Sequence, residues 1–140
     1  MSQISDLKAE AEGIYARLKE LTKIMSQKRT DEVKARIAHE QAKETMAKVH
    51  RDRVLELSPE IANVVDPKTG KSNKDYSEMV LHSMLEQDPD YVTALQKMWE
   101  TQEAMAIAQT ESVNIADELG TTRTAARLLC ALLEFASGQV

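Results

Sequence analysis

The chain has 140 residues and reads as one domain, or one domain with an arm. Few Pro, Gly and aromatic residues beside plentiful Ala, Leu, Glu, Lys and Met predict an all-α protein. A net charge of −5 argues against a generic nucleic-acid coat, although it leaves room for a local basic face, and the single cysteine excludes a disulfide scaffold or a multi-Cys metal site.

The first element is a long helix, expected from about Ser5 to Leu57. Ile4, Leu7, Ala11, Ile14, Leu18, Leu21 and Met25 alternate at three and four residues, which is a coiled-coil seam with Glu, Lys and Arg on its flanks. The seam stops at an entirely polar interval, residues 26–32. With no Gly or Pro there, the helix is expected to continue with its register shifted, the alternative being a turn capped by Thr30. Val33, Ile37, Ala38, Ala42, Met46, Val49 and Leu55 would then carry the apolar stripe. Ser58-Pro59 is expected to end the element, with Pro59 able to start a short turn through Ile61.

Residues 58–75 read as a loop between the arm, 1–57, and a C-terminal part, 76–140. Asp66-Pro67-Lys68-Thr69-Gly70 is turn chemistry and admits a small hairpin. A short helix from about Asp75 to Glu86 follows, with Met79, Val80, Met84 and Leu85 expected to face inward.

Asp88-Pro89-Asp90 is a helix start: a capping carboxylate, a proline at the first helical position, and an acid at the positive end of the dipole. The helix carries Tyr91, Val92, Leu95, Trp99, Ala106, Val113 and Ala116 up to Gly120, a natural C-terminal cap. Thr121 or Thr122 would cap a second helix that stops near Gly138, so a C-terminal helical hairpin is expected. Leu128, Leu129, Leu132, Leu133 and Phe135 spread over more of that helix than one interface needs. They are the candidate contacts of a homo-oligomer. Cys130, among these leucines, reads as a small buried apolar residue.

Motifs with chemical meaning are incomplete. Gly70-Lys71-Ser72 resembles the end of a phosphate-binding loop, but Val65 stands where the pattern needs glycine. His39-Glu40 resembles the start of a zinc-protease helix, but Lys43 stands where the second histidine belongs. His39, His50 and His82 share no ligand spacing. No enzyme, metal or cofactor is expected. No apolar run reaches the roughly 18 residues of a membrane span and no signal-peptide core opens the chain, so a cytoplasmic protein with no membrane partner is expected.

Charge is distributed unevenly. Lys28, Arg29, Lys34, Arg36, Lys43, Arg51 and Arg53 dominate the middle of the first element, whereas Lys97 is the single base between Asp75 and Leu119 once Lys74 is passed. A solvated face with pairs such as Glu32–Arg36 and Glu44–Lys48 explains this as well as an anionic partner does. Residues 28, 29, 36, 43 and 51 cannot all share one helical face.

Three patches resemble the UvsY-type recombination mediators of tailed phages. Val33-Lys34-Ala35-Arg36-Ile37 is similar to that family's apolar-Lys-Ala-Arg-apolar segment, associated with single-stranded DNA. Tyr76-Ser77-Glu78-Met79 with Asp88-Pro89-Asp90 resembles its Ser-Glu-Met segment and the acidic start of its long helix. Glu134-Phe135-Ala136-Ser137-Gly138, after two glycine-linked helices, resembles its Phe-x-x-Gly ending. The resemblance implies a homo-oligomer built through C-terminal helices. It further implies binding of single-stranded DNA through Lys34 and Arg36, contacts with a recombinase and a single-strand-binding protein, help in loading recombinase filaments, and, for a phage protein, the host cytoplasm. A helical scaffold or adaptor, supported by the Ile4–Met25 seam, and an inhibitor of a host enzyme with acidic helices that mimic DNA are the competing readings.

Overall fold

A computed structural model of the chain describes residues 3–138. They form three helices, α1 (Gln3–Ile61), α2 (Lys74–Gln87) and α3 (Pro89–Ala136), with no strand among the described residues, so the fold is all-α. The packing falls into two compact units. One takes the chain through Lys34 and again from Ala106; the other is Ala35–Met105.

The first unit pairs the start of α1 with the end of α3. Leu21, fully buried, Met25, Leu119 and Leu129 form its core. Arg17 pairs with Glu118, and Lys28 Nζ lies 2.9 Å from Glu111 Oε2. The partner number falls as the α1 number rises, so the helices run antiparallel. In the second unit Ala42, Leu57, Leu85 and Ala94 are buried. His39 Nδ1 lies 3.2 Å from Thr101 Oγ1, the His50 and Tyr91 rings are 6.0 Å apart, and Arg53 holds Asp88. These pairings are antiparallel too.

The polar interval does not shift the register of α1. Lys28, Glu32, Ala35, His39, Ala42, Met46, Val49 and Arg53 keep the three-four alternation and are buried or half-buried. Val33 and Ile37, expected inward, are 42% and 50% exposed, and Leu55 and Ala38 face solvent as well. The physical reason lies in the side chains and the partner helix. Long stems such as that of Lys28 cover apolar surface while the charge reaches a carboxylate at the rim. In α3 the alternation runs without interruption through Ala94, Met98, Thr101, Met105, Ala108, Ser112, Ile115, Leu119, Thr122, Ala126, Leu129, Leu133 and Ala136.

That alternation also corrects the expected C-terminal hairpin. α3 runs straight through Gly120, and Thr122 and Thr124 donate back to the carbonyls of Glu118 and Gly120 rather than capping a new helix. Glycine in a helix costs about 1 kcal/mol relative to alanine. Burying Leu119 and Leu129 on one continuous face gains roughly 1.5–3 kcal/mol each, so continuity wins. The row Val92, Trp99, Val113 lies off the seam, and those residues are 42%, 59% and 58% exposed. Cys130, expected to be buried, is exposed beside buried Leu129.

Pro59 lies within α1, which ends at Ile61. Leu57 is buried and Ile61 half-buried, one turn apart on the same face, so the last turn holds although proline gives no donor. Ala62 N–H then donates to the Ser58 carbonyl at 3.1 Å. The loop that follows is a turn and no hairpin. Gly70 N–H donates to Asp66 O at 2.8 Å, and Gly70 has φ +69°, a left-handed conformation that suits glycine. Asn73 Oδ1 accepts Tyr76 N–H at 2.8 Å and caps α2. Leu85 is buried and Val80 and Met84 half-buried as expected, but Met79 is 60% exposed. Asp88 is the whole joint between α2 and α3: its N–H closes α2 on Leu85 O, and its Oδ1 accepts Tyr91 N–H at 3.0 Å to cap α3.

Candidate nucleic-acid interface

Ion pairing sorts the basic residues of α1. Lys28 reaches Glu111 and Arg53 reaches both Asp88 and Glu56. Lys43 lies 3.2 Å from Glu40, and Arg51 lies 3.9 Å from Asp52. A cation already matched by a carboxylate has less attraction left for a phosphate. The Glu111 hydrogen bond holds the Lys28 ammonium above its ordinary value, the mark of a charge already matched by a carboxylate. Arg53 is the most committed of the set, because its guanidinium meets a carboxylate that is itself buried.

Arg29, Lys34 and Arg36 have no carboxylate partner among the described residues. Lys34 and Arg36 stand two residues apart on one helix, which puts them about 200° round its axis, on opposite sides. They therefore do not form one contact. Lys34 instead shares a groove of about 690 Å³ in the first unit with Arg29 and with Arg123 of α3. Thr22, Ser26 and Thr30 add hydroxyls, Met25, Val33 and Leu119 supply the floor and walls, and no acidic residue lines it. Guanidinium groups offer forked donors to phosphate oxygens, an ammonium offers a point charge, and the Ser26 hydroxyl adds a short-range donor, those of Thr22 and Thr30 being given to the Leu18 and Ser26 carbonyls. The groove thus has the chemistry to hold a phosphodiester backbone.

Arg123 escaped the reading of the sequence because it lies about ninety residues beyond Lys34, far outside the basic run. The antiparallel pairing of α1 with α3 is what brings it, with Leu119 of its own helix, into one groove lining with Thr22 and Arg29 of α1. Of the candidate oligomer contacts, Leu129 is buried within the unit at 6% exposure and Leu133 is half-buried. Leu128, Leu132 and Phe135 are 64%, 54% and 71% exposed.

The remaining motifs are occupied locally. Around Gly70-Lys71-Ser72 the N–H groups of Lys68, Gly70 and Lys71 go to Asp66 Oδ1, Asp66 O and Thr69 Oγ1. They do not converge on an outside anion. His39 is buried against Thr101, whose hydroxyl donates to the carbonyls one turn before it, whereas His50 faces Tyr91 and His82 faces Glu86. Among the described residues no three His, Cys, Asp or Glu side chains cluster as metal ligands, and no helix is long and apolar enough to cross a membrane.

Comparison with known proteins finds no matching family model, no matching curated protein and no matching solved structure.

Proposed function

We propose that this chain is a non-enzymatic helical protein that binds single-stranded DNA and acts as a recombination mediator, helping to load a recombinase filament. The observation that carries the binding is the groove of Arg29, Lys34 and Arg123: three cations without carboxylate partners, in a chain with more acids than bases. The mediator role, with a recombinase and a single-strand-binding protein as partners, rests on the sequence resemblance. Arg36 is a separate contact on another side of α1, and Lys28, Lys43, Arg51 and Arg53 serve the fold and its surface more than the ligand.

Fluorescence anisotropy with a labelled single-stranded oligonucleotide at low and moderate salt tests the reading. Affinity is expected to fall steeply with salt and to depend little on sequence, because phosphate contacts release counterions. Replacing Arg29, Lys34 and Arg123 by alanine should weaken binding and flatten the salt slope by about 0.7 for each lost contact. Lys43→Ala with Arg51→Ala should change both much less. A wild type that does not bind at low salt sinks the proposal.

The second reading is a scaffold or adaptor that works by protein contact. Exposed Leu128, Leu132 and Phe135 on the last turns of α3 favour it. It shares one feature with the mediator reading, self-assembly through that helix, and differs in needing no DNA.

A further inference from the structure

Tyr15 is an exposed aromatic on the same side of α1 as the basic groove. The residue is 61% exposed, and the Lys19 ammonium lies 5.0 Å from the ring centroid. Counting on from Tyr15 at four and three residues gives Lys19, Thr22, Ser26, Arg29 and Val33, one strip of the helix surface. Thr22, Ser26, Arg29 and Val33 are groove residues. The strip is free of acid from Tyr15 to Val33. The other flank of the same seam is different: there Arg17 is matched by Glu118 and Glu20. An exposed phenol ring contributes little to the fold, whereas its open face is a platform for a flat partner.

We propose that Tyr15 is a base-stacking platform at one end of the groove, and that the ligand is therefore a single strand with its bases unpaired. The inference rests on the groove reading of the previous section and deepens it. Lys19 covers one face of the ring and offers its charge to a phosphate beside the stacked base, while the other face takes the base. Arg29, Lys34 and Arg123 hold the backbone that leads away from it. From Tyr15 to Arg29 the helix rises about 21 Å, enough for a short run of nucleotides. A duplex offers the ring nothing, because its bases are stacked on one another.

The test compares three ligands of equal length: oligothymidylate, an abasic strand with the same phosphates, and a duplex. Wild type is expected to bind oligothymidylate more tightly than the other two. Stacking is worth about 1–3 kcal/mol per base, so Tyr15→Leu should lower affinity for oligothymidylate about 10-fold and leave the abasic strand unchanged. Tyr15→Phe should retain the preference. Circular dichroism and the melting temperature of each variant report whether the helices are intact. Equal losses on the thymidylate and abasic strands, or no loss on either, overturn the stacking role while the groove stands. Failure of wild type to bind any of the three overturns the groove, and the platform with it.

Discussion

Asp88 does the work of three residues at the joint of α2 and α3. Its N–H ends one helix, its carboxylate caps the next, and the same carboxylate meets Arg53 of α1. The Tyr91 N–H, and after it the Arg53 charge, hold the acid below the ordinary carboxylate range against the opposing effect of burial. An acid whose value is lowered by folding stabilises the fold above its unfolded value, near pH 4, and that contribution fades as the pH drops through the lowered folded value. Asparagine caps a helix as well as aspartate does but carries no charge. Asp88→Asn should therefore melt below wild type at pH 7, and the gap should close as the pH is lowered below about 4. Thermal melts followed by circular dichroism across that range check it; a gap that stays constant would show that the charge is idle. The pair was only half legible in the sequence. The Asp-Pro-Asp start announced the cap, but nothing announced Arg53, which stands out in sequence as one more member of a basic run.

At the scale of the element, α3 shows where pattern reading succeeds and where it stops. Its start was legible because capping is local chemistry. Its buried face was not, because several apolar residues, Trp99, Val113, Leu128 and Phe135 among them, point outward while Ala, Ser and Thr occupy much of the seam. Small seam residues let two helices approach closely, so low hydrophobicity on the inner face is compatible with tight pairing. α1 was legible through Met25 for the opposite reason: its seam residues there are large and aliphatic. Gly120 looked like a stop because glycine usually is one, and only the partner helix decides otherwise. A Cβ at Gly120 would meet no atom within 4 Å beyond the neighbouring residues and backbone of its own helix, and its φ is not left-handed. Gly120→Ala is thus expected to stabilise the protein by up to about 1 kcal/mol. Chemical denaturation should show a higher midpoint with an unchanged slope. A lower midpoint would mean that α3 needs a bend or break there.

For the whole molecule, an excess of acid coexists with a basic groove that no acid lines, and a chain rich in charge coexists with a cluster of exposed leucines and phenylalanine. The all-α class followed from composition, since so few residues break helices. The groove did not, because a site shared by residues about ninety positions apart exists only once the helices have paired. Self-assembly through Leu128, Leu132 and Phe135 is the molecular-scale expectation. Replacing these three by serine should lower the mass measured by light scattering without loss of helix, since none of them is buried in the unit. Replacing Leu129 should instead unfold its surroundings, by about 2–5 kcal/mol for alanine. A wild type that is monomeric at tens of micromolar contradicts the assembly.

The loop between α1 and α2 holds itself together through Asp66, Gly70 and Asn73, and Lys68 and Lys71 stand exposed along it. No residue of the basic groove, of the seam or of the exposed leucine cluster lies in it. Covalent continuity at that point is therefore expected to be dispensable for the pairing of α1 with α3, which rests on contacts between the two helices within each unit. A protease that nicks the chain after Lys68 or Lys71 would release no fragment, and the two pieces, made as separate polypeptides, would find each other as a split protein does.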